Sequence, residues 1–164
     1  MIRAGILEGE FYAATDETDD ILGFAMTMPK GRILFSTDEQ KKLGLTDFMA
    51  RLSEEGKKWY TEEYLKVFPQ FVAKCLEPDT MVDVWWIHMV FTRSHDQKQG
   101  IATGLVKMIV GQALALGHTI ALSTTLAVNV RIYEQMGFKV IGHKVATSPW
   151  GDWSLWVLRY EVMQ

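Results

Sequence analysis

Little sulfur chemistry is open to this chain. Among its 164 residues there is one cysteine, Cys75. An intramolecular disulfide and a multi-thiolate metal site are therefore excluded. That usage fits a reducing compartment, and a cytoplasmic location is the expectation. Basic charge is not in excess: the formal net charge is −3 and no basic stripe is visible. This weighs against nucleic acid and anionic membrane as main partners. No apolar run approaches the roughly 18 residues that span a bilayer. The N-terminal "MIRAGILEGE" carries an acid where a signal peptide would be apolar. There is no internal repeat and no low-complexity linker. His95, His118 and His143 lack metal-ligand spacing and read as surface residues in loops or at strand ends, so no metal is expected.

What is present suits a packed domain. Apolar residues make up 48% of the chain, with six Trp and eight Phe. That is enough for a core, and residues 1–164 are expected to form one domain. "GEFYAATDETDDILGFAMTM" predicts two strands around an acidic turn from Asp16 to Asp20. In "STDEQKKLG", Ser36 and Glu39 suit a capping box and Gly44 a helix stop. "LTDFMARLSEEGKKW" predicts a second short helix. A third, capped by Thr61, carries Tyr64, Leu65, Phe68, Phe71, Val72, Cys75 and Leu76 on one apolar face. Pro69 predicts a kink inside it. "MVDVWWIHMVFT" predicts a strand buried on both faces. Ile101, Leu105, Met108, Ile109, Gln112, Ala113 and Leu116 then follow a helical repeat up to Gly117. "HTIALST", "FKVIGHKV" and "WSLWVLRY" predict strands, and "LAVNVRIYEQMG" predicts a short helix. The order is β-β, a helical insertion, then β-α-β-α-β-β, a mixed α/β (α+β) domain.

Between the buried strand and the long helix lies "DQKQGIATGL". The first turn of a helix exposes unpaired N–H groups and a partial positive charge, and phosphate is a good ligand there. Gly100 and the small Ala102 clear the approach to the backbone, and Gln97, Lys98 and Gln99 add donors. The loop is neither a Walker loop nor a G-x-G-x-x-G dinucleotide turn.

A second stretch narrows the reading. "QKQGIA" followed downstream by "NVRIYEQMGF" resembles the GNAT superfamily of acetyl-CoA-dependent N-acetyltransferases. Gln97, Gly100 and Ala102 match its [Q/R]-x-x-G-x-[G/A] signature, and Asn129, Tyr133, Gly137 and Phe138 match its later one. The resemblance covers residues 82–160 well and the hairpin from Glu10 to Met28 more loosely. It implies a mostly antiparallel mixed sheet around a β-α-β-α core. It implies acetyl-CoA as cosubstrate, a small amine or an exposed amino group as acceptor, and direct attack in a ternary complex. Backbone amides from Gln97 through Lys98, Gln99, Gly100, Ile101 and Ala102 to Thr103 would hold the pyrophosphate. A strand splayed near Val90 to Thr92 would pair with the pantetheine arm. Asn129 would contact that arm from the other side, and Tyr133 would sit near the thioester sulfur as general acid.

The base is less determined. His88 resembles a histidine used in the arylalkylamine branch, and strand alternation puts it on a face with Trp86 and Val90. A core histidine bonded to a neighbour is the other reading. Asp83 is a second candidate, near the strand start. Cys75, on an apolar helix face, reads as structural. Members usually carry a strand and one or two helices before the hairpin, and here almost nothing is expected there. Either that wall of the amine site is shortened, or the insertion between Pro29 and Thr80 takes it over. The exposed edge strand could pair with a second copy to form a homodimer. A catalytically inactive acyl-CoA-binding protein of the same fold stands as the alternative function.

Overall fold

The computed structural model describes residues 1–160; the last four residues of the expected domain lie outside them. The predicted hairpin is formed by β1 (Glu10–Thr15) and β2 (Ile21–Met28). Its turn is bonded to itself: the Asp16 carboxylate accepts from the backbone N–H groups of Thr18 at 2.9 Å and Asp20 at 3.0 Å. Helix α1 (Ile2–Glu8) precedes the hairpin, where the sequence suggested almost nothing. Gly5 lets it lie against β2, since a Cβ there would collide with the Met26 side chain.

The insertion contains α2 (Asp38–Gln40), α3 (Thr46–Arg51), α4 (Glu54–Trp59) and α5 (Leu65–Leu76). Its boundaries differ from the predicted ones for local reasons. Thr37, not Ser36, caps α2 and accepts from Gln40 N–H at 3.2 Å. "STDEQ" holds two overlapping capping patterns, and the one starting at Thr37 wins because Gln40 is buried and donates to Glu8 at 2.5 Å. Gly44, at φ 145°, does not stop a helix but kinks the wide turn that joins α2 to α3. The second predicted helix breaks at Leu52, and Ser53 caps α4 through Gly56 N–H at 3.1 Å. Thr61 is no cap. Its hydroxyl donates to the Lys57 carbonyl at 2.8 Å inside the wide turn Tyr60–Tyr64, which runs on into α5. That irregular turn lies just ahead of the helix that contains Pro69.

Strand β3 (Trp85–Thr92) is followed by α6 (Ile101–Ala115), β4 (Ile120–Thr124), α7 (Ala127–Gln135), β5 (Phe138–Ala146) and β6 (Trp153–Tyr160). The six strands form one sheet in the order β1-β2-β3-β4-β6-β5. Among the described residues only β3 and β4 run parallel, joined by the α6 crossover. This is the mixed, mostly antiparallel sheet expected.

The sheet is covered on both faces. Leu105, Val106, Ile109, Val110 and Ala113 of α6 pack on Ala25, Trp85, Ile87, Ile120, Leu122 and Leu158. On the other face Val72 and Leu76 of α5 pack on Val84, Trp86, Ala121 and Val157. Neighbours Trp85 and Trp86 thus enter opposite layers, which is why this strand reads as apolar throughout. Burying each of the Leu, Ile and Val side chains is worth about 1.5–3 kcal/mol. Of the histidines expected at the surface, His118 is half-buried, whereas His143 is exposed as expected but lies inside a strand. His118 accepts from the Trp85 indole at 3.0 Å, and His143, inside β5, stacks on Trp156 at 4.6 Å. Trp85 and Trp156 are long enough to reach these rings across neighbouring elements.

Cys75 is packed between layers, as its helix face suggested. Burial pushes its thiol pKa up, and a Cβ at Gly142 of β5 would collide with its Sγ. The close approach of α5 to β5 therefore requires glycine at position 142. Gly142→Ala should cost about 1–3 kcal/mol through overpacking. In urea denaturation, Cys75→Ala in the same background should return part of that loss. Additive losses in the double variant would refute the contact.

Candidate active site

The parallel pair is short. Trp85, Trp86 and Ile87 pair with Ile120, Ala121 and Leu122, and the register ends there. Residues 88–92 of β3 therefore keep one edge free of β4, so the splay begins earlier than the expected Val90. A bulge sits at the same place. On the other side Met26 pairs with Met89 and Thr27 with Ile87, leaving His88 as the extra residue. A bulge bends its strand and increases the local twist, which turns β3 away from β4. Thr27 secures it: fully buried, its hydroxyl donates to the Trp86 carbonyl at 3.0 Å.

The bulge also corrects the alternation argument. Val90 packs against the α6 layer, whereas Trp86 belongs to the α5 layer, so the two do not share a face. His88 stays with Trp86, its ring centroid 6.5 Å away. Its Nε2 is buried without a partner. Burial pushes its pKa down to about 4, well below the ordinary histidine value near 6.5. Asp83 does not compete as base. It sits in the turn before β3, and its carboxylate accepts from the Thr80 N–H at 3.0 Å and the Thr80 hydroxyl at 2.6 Å. Those bonds lower its pKa.

At the open end of the split, Gly100 starts α6 with φ 84° and ψ 0°. It has no side chain to satisfy the first N–H groups of that helix, and the first bond back to it comes from Gly104 N–H at 2.8 Å. Lys98 is also left-handed, at φ 63°. Such turns gather backbone N–H groups into an anion-binding concavity. A Cβ built on Gly100 meets nothing within 4 Å, so the space before the helix is clear.

An open cavity of about 740 Å³ lies there between α6 and α7. Thr92, Gln97, Lys98, Gly100, Ile101, Ala102 and Thr103 line one wall, and Asn129 belongs to the other. Asn129 is held by a bond from its Nδ2 to the Thr124 hydroxyl at 3.3 Å, at the end of β4. The Thr92 hydroxyl is buried and unpartnered beside this space. A group with pyrophosphate at the helix start and a polar arm along β3 suits these residues.

Four expected residues are not among the lining: His88, which turns to the α5 face beside Trp86, and three more. Gln99 turns back to donate to the His95 carbonyl at 3.4 Å. Val90 points into the α6 layer, so only its backbone faces the split. Tyr133 packs against the same core, edge-on to Phe138 at 5.7 Å, and burial raises its pKa. Conversely, Val128, Ile132 and Gln135 of α7, with Met136 just after it, line the cavity and were not anticipated. Their spacing on one helical face was the available signal. Val128 and Ile132 are apolar yet 61% and 43% exposed, which marks that face as unpacked by the protein itself.

The fold is that of a mixed α/β acyltransferase. The sequence profile of the acetyltransferase (GNAT) family matches residues 5–138, and the chain belongs to that family. Solved structures agree on the fold. An arylalkylamine N-acetyltransferase 2 from Aedes aegypti superposes with TM-score 0.61 at 17% identity, over 96% of this chain and 75% of that one. A Drosophila melanogaster polyamine N-acetyltransferase gives 0.61 at 12% identity, over 93% of this chain and 74% of that one. A Bacillus anthracis protein assigned as a streptothricin acetyltransferase, solved with acetyl coenzyme A, gives 0.58 at 11% identity, over 95% and 64%. Among curated protein sequences none matches significantly. Among the described residues no helix is long and apolar enough to cross a membrane, and no three metal-ligating side chains gather.

His88 gives a direct test. Unfolded, a histidine titrates near 6.5; folded, this one titrates near 4. Between those values only the unfolded chain takes up the proton, so stability should fall as pH drops from about 6.5 and be flat above it. NMR should show the His88 ring unchanged down to about pH 5. His88→Leu should remove its share of the pH dependence of the urea midpoint between about pH 6.5 and 5. A ring titrating near 6.5 would contradict the burial.

Proposed function

We propose that this chain is an acetyl-CoA-dependent N-acetyltransferase acting on an amine by direct attack in a ternary complex. The observation that carries the reading is the split between β3 and β4 opening onto the glycine-started α6. Acetyl-CoA, when bound, supplies an activated acyl carbon and a thiolate leaving group. The backbone N–H groups from Gln97 to Thr103, with the Lys98 ammonium, would hold its pyrophosphate. The free edge of residues 88–92 would pair with the pantetheine arm. The Thr92 hydroxyl and the Asn129 side chain add polar contacts beside it.

Two side chains bear on the chemistry. The Tyr133 hydroxyl, its pKa raised by burial, keeps its proton at neutral pH, the state that a proton donor to sulfur needs. His88 is neutral there and can accept a hydrogen bond from the attacking amine. With its pKa near 4 it cannot retain the proton at neutral pH, so the proton passes on to solvent. Cys75 takes no part: its thiol is held between α5 and β5, with its pKa raised. The polyamine and arylalkylamine relatives support an amine acceptor. The free edge of β1 leaves room for pairing with a second copy. One observation favours a second reading, an acyl-CoA-binding protein without catalysis. It is the burial of His88, which weakens the expected base.

Two experiments separate these readings. Isothermal calorimetry should show wild type binding coenzyme A, and Gly100→Trp should abolish it. Any side chain at φ 84° strains the backbone, so Gly100→Ala is the control and should lose far less. Equal binding by wild type and Gly100→Trp would sink the site. Tyr133→Phe keeps the ring and removes the hydroxyl. It should lower kcat on the order of 10²-fold with KM for acetyl-CoA nearly unchanged. An unchanged kcat would make Tyr133 a packing residue, and wild type binding coenzyme A without acetylating any amine would favour the second reading.

A further inference from the structure

The insertion does more than cover the α5 face of the sheet. Between it and the β5–β6 hairpin lies a cavity of about 120 Å³. Trp59, Tyr64, Val67 and Phe68 close it from the helical side, and Trp153 and Leu155 from the sheet. It stands on the face to which His88 turns. Leu155 adjoins Trp156, whose strand partner is Thr124, the last residue of β4. The cavity therefore sits beside the end of the split strands, on the side opposite α6.

Its size and lining restrict what it can take. An apolar cavity of about 150 Å³ accommodates benzene, so this one holds a single ring or a branched alkyl group of similar bulk. Glu63 and Lys144, both exposed, border it with opposite charges, so the lining carries no excess of acid to favour a second ammonium. Tyr64 forms its inner wall, held between Tyr60 at 5.2 Å and Phe68 at 5.5 Å. Behind Tyr64 lies another cavity of about 290 Å³, lined by Phe35, Phe48 and Tyr60. Tyr64 lines both, so its ring sets the depth of the smaller one.

We infer that this aromatic cavity is the acceptor subsite, and that it selects small primary amines whose apolar body is one ring in size. The inference rests on the acetyltransferase reading above. In the reaction it serves, a C–N bond forms and the thioester C–S bond breaks. The nitrogen gives up one proton and the departing sulfur takes one.

The test compares 2-phenylethylamine, 2-(2-naphthyl)ethylamine and butane-1,4-diamine by kcat/KM, with acetyl-CoA saturating. Wild type should prefer the single ring over both others by about tenfold or more, the scale at which a fitted apolar pocket discriminates. Val67→Phe fills the cavity from α5 and should lower kcat/KM for phenylethylamine about tenfold. Tyr64→Leu joins the two cavities and should shift preference toward the naphthyl amine. Should Val67→Phe fail to melt cooperatively, Ala146→Val fills the same space from β5. Equal kcat/KM for ring and linear amines in wild type overturns the inference, as does an unchanged preference in both Val67→Phe and Tyr64→Leu. Binding of phenylethylamine, read by tryptophan fluorescence without coenzyme A, separates this site from the other. Ring-dependent quenching lost in Val67→Phe supports the cavity even if calorimetry shows no coenzyme A binding, a result that would defeat only the underlying reading.

Discussion

Everything at the candidate site depends on how far β3 and β4 stay paired. Three residue pairs hold the parallel ladder, and then the extra residue at His88 turns β3 away. A strand edge left without its neighbour has backbone groups to satisfy. Here that edge faces a gap flanked by the start of α6 and the face of α7. The bulge is stabilised from below by Thr27, whose buried hydroxyl takes the Trp86 carbonyl. A single hydrogen bond between β2 and β3 thereby helps to set the opening that the proposed chemistry requires.

Two of the three side-chain groups buried without partners among the described residues mark the same region, the third being the Trp153 indole N–H on β6. The Thr92 hydroxyl and the His88 Nε2 lie on the split half of β3. Each such group costs folding free energy on the order of 1–3 kcal/mol. Both belong to the segment that has lost its neighbour; the Thr92 hydroxyl borders the cavity that a polar arm would fill, whereas His88 turns to the α5 face. The low pKa of His88 follows from the same burial. The features that make the segment costly to fold are the ones that would make it receptive to a ligand.

The insertion supplies what the edge of the sheet does not. β1 is an edge strand, with α1 lying against β2 rather than a further strand pairing beside it. The helices between β2 and β3 cross the opposite face and bring Trp59, Tyr64 and Phe68 over the β5–β6 hairpin. Their aromatic rings stack along the chain of α4, the wide turn and α5, from Tyr60 through Tyr64 to Phe68. The three rings are spaced four residues apart, the spacing that places side chains on one helical face, and the row continues from the wide turn into α5.

Local pattern was enough for much of this chain. The strands, the long α6 repeat, the β-α-β-α order and the loop with Gly100 were all legible, because each is fixed by periodicity, turn chemistry or small residues at set spacings. The choice between Ser36 and Thr37 as cap was not, since both patterns fit and only burial of Gln40 separates them. The bulge at His88 was equally hidden. Its residues alternate as any strand would, and the extra one is defined only by its pairing with Met26 and Thr27. From it follow the face of Val90, the burial of His88 and its pKa, none of which a pattern within one strand can state. The wall around Tyr64 also belongs to the tertiary structure. An apolar helix face says that something will cover it, but whether core or cavity depends on the strand that arrives from 80 residues away in β5 and β6, at Lys144 to Leu155.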